Sequence, residues 1–194
     1  YGILGAAYAT SRCGAFDDDF EIARGWTVNP DGTDTAPASG RFAIGHPGAA
    51  IASGIVLQPG TASSGRYAMV TGPVSGNTAS AYDLDGTTSI RSVPITLPDA
   101  PGQTLAFRYV FGHLANSSAA DHLRAIVEDA GGTQTVVWER TGSAANVAGG
   151  WTSASVSMDP WAGQTIRIRF QATDGAGAST VEAGVDDVRV TRPR

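Results

Sequence analysis

The amino-terminal part of the chain carries a cluster of carboxylates that could bind a metal ion. Residues 17–21 read Asp-Asp-Asp-Phe-Glu, so four of five neighbouring side chains are acidic. Carboxylates this close repel one another unless a cation is present. In an extended chain Asp17, Asp19 and Glu21 point to one side and Asp18 points to the other. These residues suit a hard cation such as Ca²⁺, which takes about six to eight oxygen ligands from carboxylates and carbonyls.

A second acidic pair, Asp186 and Asp187, lies near the other end of the chain. The first and last strands of a β-sandwich often lie close together, which would bring the two clusters into contact. The sequence therefore predicts a structural calcium site with Asp18, Asp19, Glu21, Asp186 and Asp187 as candidate ligands. The alternative is a solvated acidic edge that discourages pairing with another strand. The chain has no EF-hand spacing.

Asp83 and Asp85 form a second candidate cation site. Both carboxylates would fall on one side of a strand end, beside Gly86, which could turn the chain. A polar turn explains these residues equally well, so both interpretations stay open.

The three histidines, His46, His113 and His122, do not form a compact zinc motif such as His-Glu-x-x-His. The chain also lacks a Gly-x-Ser-x-Gly elbow, a phosphate-binding loop and a dinucleotide fingerprint. A Ser-His-Asp triad can be assembled from distant loops, so an enzyme that uses such a triad remains a hypothesis. No residue is assigned a catalytic role.

Aromatic side chains could stack on sugar rings if they are exposed. The default for the four tryptophans is burial between two sheets, and Trp26 and Trp151 lie at predicted strand starts that suit this role. Trp161 lies in a predicted loop. If the chain binds carbohydrate, Trp161, Tyr67 and Tyr82 are the expected ligand-binding residues.

The elements that must position these residues are strands, because apolar residues recur with a period of two. In residues 165–172 the apolar side chains alternate with Thr165, Arg167, Arg169 and Gln171, which predicts a strand with one buried and one wet face. Similar patterns mark shorter strands, and turn residues separate them. About ten to twelve short strands of this kind predict an antiparallel sandwich or barrel. The strands are predicted at residues 16–22, 25–28, 54–57, 67–71, 80–84, 105–111, 123–128, 135–138, 151–158, 165–172 and 183–190.

Composition narrows the function classes. The 194 residues suit one domain, and 42% hydrophobic against 16% charged residues is enough apolar material for a core. The net charge of −5 offers no basic surface for nucleic acid. Cys13 is the only cysteine, so no internal disulfide can form, and no apolar run is long enough for a membrane span. We expect a leader or linker over residues 1–15 and one domain over residues 16–192.

Several motifs mark the two ends of the predicted domain, namely Phe20-Glu21, Gly25-Trp26-Thr27, Gly150-Trp151, residues 161–170 and residues 184–188. These motifs resemble those of extracellular jelly-roll modules, namely MAM-like and calcium-binding carbohydrate-module sandwiches. The middle of the chain, over residues 54–60 and 83–92, is similar to the C-terminal accessory domain of secreted bacterial zinc carboxypeptidases.

The resemblance implies an all-β, antiparallel jelly-roll β-sandwich of two stacked sheets in a single domain. It also implies a Ca²⁺ that ties the first strand to the last through Glu21 and Asp186, with Asp18 and Asp19 as additional ligands. The chain lacks the His-x-x-Glu pair of a zinc carboxypeptidase.

The expected function is therefore a non-catalytic accessory domain of a secreted hydrolase, with an upstream catalytic domain as partner and no membrane span. The partner is predicted to be a zinc carboxypeptidase. The alternative is a carbohydrate-binding module that attaches an enzyme to polysaccharide.

Overall fold

The computed structural model describes residues 14–73 and 83–191, and these residues form antiparallel sheets. Two short 3₁₀ turns, Ala38–Gly40 and Asp159–Trp161, accompany the strands. The strands are β1 (Gly14–Asp18), β2 (Thr27–Val28), β3 (Phe42–Gly45), β4 (Ala50–Ala52), β5 (Ile55–Gln58), β6 (Ala68–Thr71), β7 (Gly86–Arg91), β8 (Ile95–Thr96), β9 (Thr104–His113), β10 (His122–Glu128), β11 (Gln134–Thr141), β12 (Thr152–Ser157), β13 (Thr165–Asp174) and β14 (Val181–Thr191).

Two six-stranded sheets make up the body of the fold. The first sheet has the order β12-β9-β14-β6-β3, and β1 also pairs with β14. The second sheet has the order β11-β10-β13-β7-β2, and β8 also pairs with β13. From β9 onward the chain passes repeatedly between the sheets, which gives the jelly-roll connection. The predicted single-domain, antiparallel jelly-roll β-sandwich is confirmed.

Alternating side chains build the core between the sheets. In β13, Ile166, Ile168 and Phe170 are buried in the core, while Gln171 points outward. Leu105 and Phe107 of β9 meet them from the first sheet. Burial of such large apolar side chains contributes roughly 1.5–3 kcal/mol each, which is what holds the two layers together.

The two ends of the described chain are neighbours in the first sheet. β1 runs antiparallel to β14, with Asp18 opposite Val188. The strand predicted over residues 16–22 ends early, because Phe20 has a φ of 59° and turns the chain after β1. The strand predicted over residues 80–84 falls partly outside the described residues, and its described part, Asp83 and Leu84, is not in a strand.

A small two-stranded sheet, β4 and β5, lies on the first sheet. The backbone N–H of Gly149 donates to the Val56 carbonyl at 2.8 Å. A Cβ at Gly112 or Gly149 would collide with the Leu57 carbonyl, so these glycines permit the close approach. Within residues 14–73 and 83–191, no helix has the length and apolar character needed to cross a bilayer.

Candidate functional site

The loop formed by residues 59–67, between β5 and β6, is held by two of the predicted metal ligands. Oε1 of Glu21 accepts hydrogen bonds from the backbone N–H groups of Arg66 (2.6 Å) and Tyr67 (2.7 Å). Oδ2 of Asp186 accepts from the N–H groups of Ser63 (2.8 Å) and Ser64 (3.2 Å). We call this loop with its two carboxylates the acidic junction.

The other three predicted ligands have different partners. Asp18 is buried and accepts from the Trp26 indole at 2.7 Å, and Asp19 accepts from the N–H of Glu21 at 3.3 Å. Asp187 accepts from the hydroxyl of Ser64 and from Arg189, both at 2.8 Å. The structure thus brings Glu21, Asp186 and Asp187 to one loop, whereas Asp18 and Asp19 accept hydrogen bonds from residues close to them in sequence.

Burial makes the acidic junction electrostatically costly. Asp186 is fully buried, and desolvation raises its pKa to about 6, with Asp187 adding repulsion. At Gly65, where φ is +61°, any Cβ would meet the Glu21 carboxylate. The two carboxylates supply oxygen ligands of the kind that a hard cation takes, and each already accepts two backbone N–H groups of the loop. Among the described residues, no three His, Cys, Asp or Glu side chains are grouped to hold a metal, so an ion here would need oxygen ligands besides these side chains.

Asp83 and Asp85 line a cavity of about 230 Å³ together with Asp174 and Ser179. The pKa of Asp83 is raised to about 6, mainly by burial and in part by repulsion from Asp174 and Asp85. Asp174 accepts from the Ser179 hydroxyl at 2.6 Å, and that hydroxyl also lies 3.1 Å from Asp121. The predicted second cation site is therefore an acidic cavity in which Ser179 supplies hydrogen bonds.

The predicted sugar-stacking residues differ in their surroundings. Trp161 is partly buried against the core, and Tyr67 has the Arg66 guanidinium 5.5 Å from its ring centre. Tyr82 lies outside the described residues. Trp26 and Trp138 pack against the core. Stacking of sugars on Trp161, Tyr67 and Tyr82 stays a prediction.

The three histidines lie on separate parts of the fold. His46 follows β3, His113 ends β9 and His122 begins β10. Nδ1 of each ring is within 3.1 Å of the carbonyl of a residue one or two positions away. These contacts are local and do not form a relay to a nucleophile.

The outer surface of the second sheet carries a set of hydrogen-bonding side chains that sequence analysis did not assign to a site. They form rows in register across four adjacent strands, and we call this surface the polar face. In the strand order β11, β10, β13 and β7, the first row is Glu139, Arg124, Gln171 and Ser89, and the second row is Thr141, His122, Thr173 and Thr87. In the third row Arg169 and Arg91 are polar, whereas Val136 and Ile126 are apolar. The sequence does show alternating polar residues on one side of β13. It does not show how β13 aligns with its neighbouring strands.

The polar face has exposed and buried parts. Arg124 and Glu139 pair at 2.6 Å, and about a third of each side chain is exposed. Arg169 is 3% exposed and so belongs to the buried part of the polar face. Nε2 of His122 has no hydrogen-bond partner among the described residues, and burial lowers the pKa of this ring. The partly exposed Arg124 and Glu139 thus place a donor and an acceptor at the surface, whereas Arg169 and His122 are buried.

Comparison with known proteins shows the fold. No family model matches the sequence, and no curated protein matches it. The K1 cleaved adhesin domain of Lys-gingipain from Porphyromonas gingivalis is 17% identical with a TM-score of 0.58, covering 92% of this chain and 98% of that domain. The K2 cleaved adhesin domain is 18% identical with a TM-score of 0.50, covering 92% and 98%.

A family 22 carbohydrate-binding module of Clostridium thermocellum Xyn10B is 14% identical with a TM-score of 0.48, covering 94% of this chain and 96% of that module. The chain therefore shares the β-sandwich fold of the two adhesin domains.

Proposed function

We propose that this chain is a non-catalytic domain that binds polysaccharide through the polar face. The observation that carries the proposal is the register of its rows, which place donors and acceptors on four neighbouring strands. Neighbouring strands lie about 4.8 Å apart, so each of the first two rows forms a ladder of hydrogen-bonding groups. Sugar hydroxyls both donate and accept, which suits a ladder that mixes guanidinium, carboxylate, amide and hydroxyl groups.

The proposal includes a calcium ion at the acidic junction. Glu21 and Asp186 would hold the ion together with carbonyls of residues 59–67, and the ion would offset the charge of two carboxylates, one of them fully buried. Its role would be structural, because it would join the turn after β1 to β14 and to the loop. Such an ion stabilises a fold by RT ln(1 + [Ca²⁺]/Kd), about 3 kcal/mol at a hundredfold excess over Kd.

The setting of the domain is part of the same proposal. The K1 domain is by its name an adhesin and a cleaved part of a larger protein, which supports a binding role for this fold. We infer that the domain is secreted and accompanies an upstream catalytic domain. A zinc carboxypeptidase is the parent that the sequence resemblance implies, and the gene region upstream of Tyr1 tests this directly.

Binding to a panel of insoluble and soluble polysaccharides tests the main proposal. We expect retention of the protein on at least one polysaccharide and loss of at least tenfold in affinity in the double variant Arg124→Ala/Gln171→Ala. Both side chains are partly exposed and belong to one row. Arg140→Ala is the matched control, because Arg140 is exposed on β11 but pairs with the core residue Leu123.

Three results would decide the matter. Loss of affinity in the double variant alone supports the polar face as the binding surface. Equal losses in the double variant and in Arg140→Ala would show a general charge effect and contradict it. Failure of the folded wild-type protein to bind any polysaccharide in the panel would overturn the proposed function.

A further inference from the structure

Two arginines of the polar face share one carboxylate that comes from outside the sheet. Arg91 and Arg169 are paired residues on β7 and β13. The side chain of Asp31 forms an ion pair with Arg169 and lies 3.9 Å from Arg91. Asp31 belongs to the turn of residues 29–32, which is closed by a hydrogen bond from the Gly32 N–H to the Asn29 carbonyl at 3.1 Å. A loop residue thus places an acidic group over the buried part of the polar face.

The two guanidinium groups retain unused hydrogen-bonding capacity. Nε of Arg91 and Nε of Arg169 have no partner in the part of the chain that the structure describes. The Arg169 side chain is only 4% exposed, whereas that of Asp31 is 38% exposed. A guanidinium binds a carboxylate best through two parallel N–H groups, and an unpaired buried donor costs about 1–3 kcal/mol. The site therefore offers donors that Asp31 does not satisfy.

We propose that Arg91 and Arg169 form a subsite for the carboxylate of an acidic sugar, and that Asp31 occupies this subsite in the unliganded protein. This inference rests on the proposed function and specifies its ligand as a uronate-containing polysaccharide. In the bound state the ligand carboxylate replaces the Asp31 carboxylate between the two arginines.

Asp31 can leave without unfolding its surroundings, because other residues hold the turn to the sheet. Asp34 accepts hydrogen bonds from the N–H and the hydroxyl of Ser89, both at 2.7 Å, and Asn29 donates its N–H to the Ser89 carbonyl. The side chain of Asp31 can thus move while the turn that carries it stays attached to the sheet.

The arginines also keep partners when Asp31 is displaced. Arg91 pairs with Glu128 at 3.0 Å, and Arg169 donates to the Ser89 hydroxyl at 3.0 Å. Glu128 would then be the one carboxylate in direct contact with the two guanidinium groups, while Asp34 reaches Arg169 only through the Ser89 hydroxyl. The bidentate geometry of arginine would favour a carboxylate in the position that Asp31 leaves.

The competition between Asp31 and the ligand supplies the test. Asp31→Asn keeps the size of the side chain and removes its charge, so the subsite no longer holds a competing anion. Asp129→Asn is the matched control, because it removes the same charge from the exposed turn between β10 and β11.

Affinities are measured by calorimetry for polygalacturonate, alginate and glucuronoxylan, each compared with its own methyl ester. We expect Asp31→Asn to bind at least one of the three acids about tenfold more tightly than the wild type, with no gain for the ester. Asp129→Asn should match the wild type. Arg91→Gln should lose the preference for the acid over its ester, while thermal melts confirm that each variant is folded.

The outcomes separate this inference from the proposed function. Equal binding of acid and ester by the wild type and by Asp31→Asn would overturn the carboxylate subsite and leave polysaccharide binding intact. Binding only to neutral polysaccharides would do the same. Absence of binding to every polysaccharide would remove the proposed function and with it this inference.

Discussion

At the scale of single residues, Glu21 and Asp186 share one structural task. Each carboxylate accepts two backbone N–H groups of the same loop, although the two residues are far apart in sequence. Hydrogen bonds to a charged acceptor are worth about 1.5–3 kcal/mol each, so the pair fixes residues 59–67 even before any ion binds. The arrangement is costly because the carboxyl group of Asp186 is buried away from water.

This arrangement predicts a calcium-dependent stability. The melting temperature of the wild type should rise when EGTA is replaced by millimolar Ca²⁺, and Glu21→Gln and Asp186→Asn should each abolish most of that rise. The control Asp99→Asn, at an exposed position, should respond like the wild type. Differential scanning fluorimetry measures all four proteins. Identical wild-type midpoints in EGTA and in Ca²⁺ would contradict the calcium site.

At the scale of elements, close backbone contact holds the small β4–β5 sheet on the first sheet. The carbonyl of Leu57 lies against Gly149, and the neighbouring Val56 carbonyl accepts the Gly149 N–H. Gly150, the next residue, has open space around the position of a Cβ. A side chain at Gly149 would therefore require a backbone shift, whereas a side chain at Gly150 would not.

Gly149→Ala should destabilise the domain by about 1–3 kcal/mol, because the new methyl group must push the Leu57 carbonyl away. This corresponds to a fall of roughly 2–12 °C in melting temperature for a domain of this size. Gly150→Ala should change stability by less than about 0.5 kcal/mol. Chemical denaturation of both variants checks the difference, and equal effects at the two positions would refute the packing argument.

The elements also show what a sequence can predict. β9 and β13 were predicted because large apolar residues alternate in them. β7 was missed because Ile90 is its one large apolar residue, so the strand shows no apolar alternation. The acidic residues were identified from the sequence, but only the hydrogen bonds in the structure show that Glu21 and Asp186 reach one loop. The polar face was missed because its rows exist only after β10, β11 and β13 are aligned.

At the scale of the whole molecule, several acids are buried, and Glu182 is buried without a full set of partners. Burial raises the pKa of Glu182 well above its ordinary value and raises that of Asp174 as well. Oε1 of Glu182 has no hydrogen-bond partner among the described residues. Asp121 is the opposite case, since hydrogen bonds from Gly175, Ser118 and Ser117 outweigh burial and lower its pKa to about 2.

These shifts predict an unusual pH dependence. A carboxyl whose pKa is higher in the folded state binds its proton more tightly there, so folding stability rises as pH falls toward the unfolded pKa. In EGTA the melting temperature should therefore increase from pH 8 to about pH 5. It should fall at lower pH, where protonation of Asp121 removes its contribution.

The variant Glu182→Gln should flatten the rise between pH 8 and pH 5, because it removes a proton-binding group without changing side-chain size. The variant Asp99→Asn, at an exposed position, should retain the wild-type profile. Thermal melts across this pH range measure the effect. A wild-type midpoint that declines steadily from pH 8 to pH 5 would contradict the assignment.

The pairing of β1 with β14 governs how the domain can be mounted on a larger polypeptide. Gly14 and Thr191, the first and last described residues, are directly opposite each other, so both ends of the described chain lie side by side in the first sheet. The ligand-binding surface proposed above is the outside of the other sheet. A fusion partner joined at either end would therefore leave the outer surface of the second sheet accessible to a ligand.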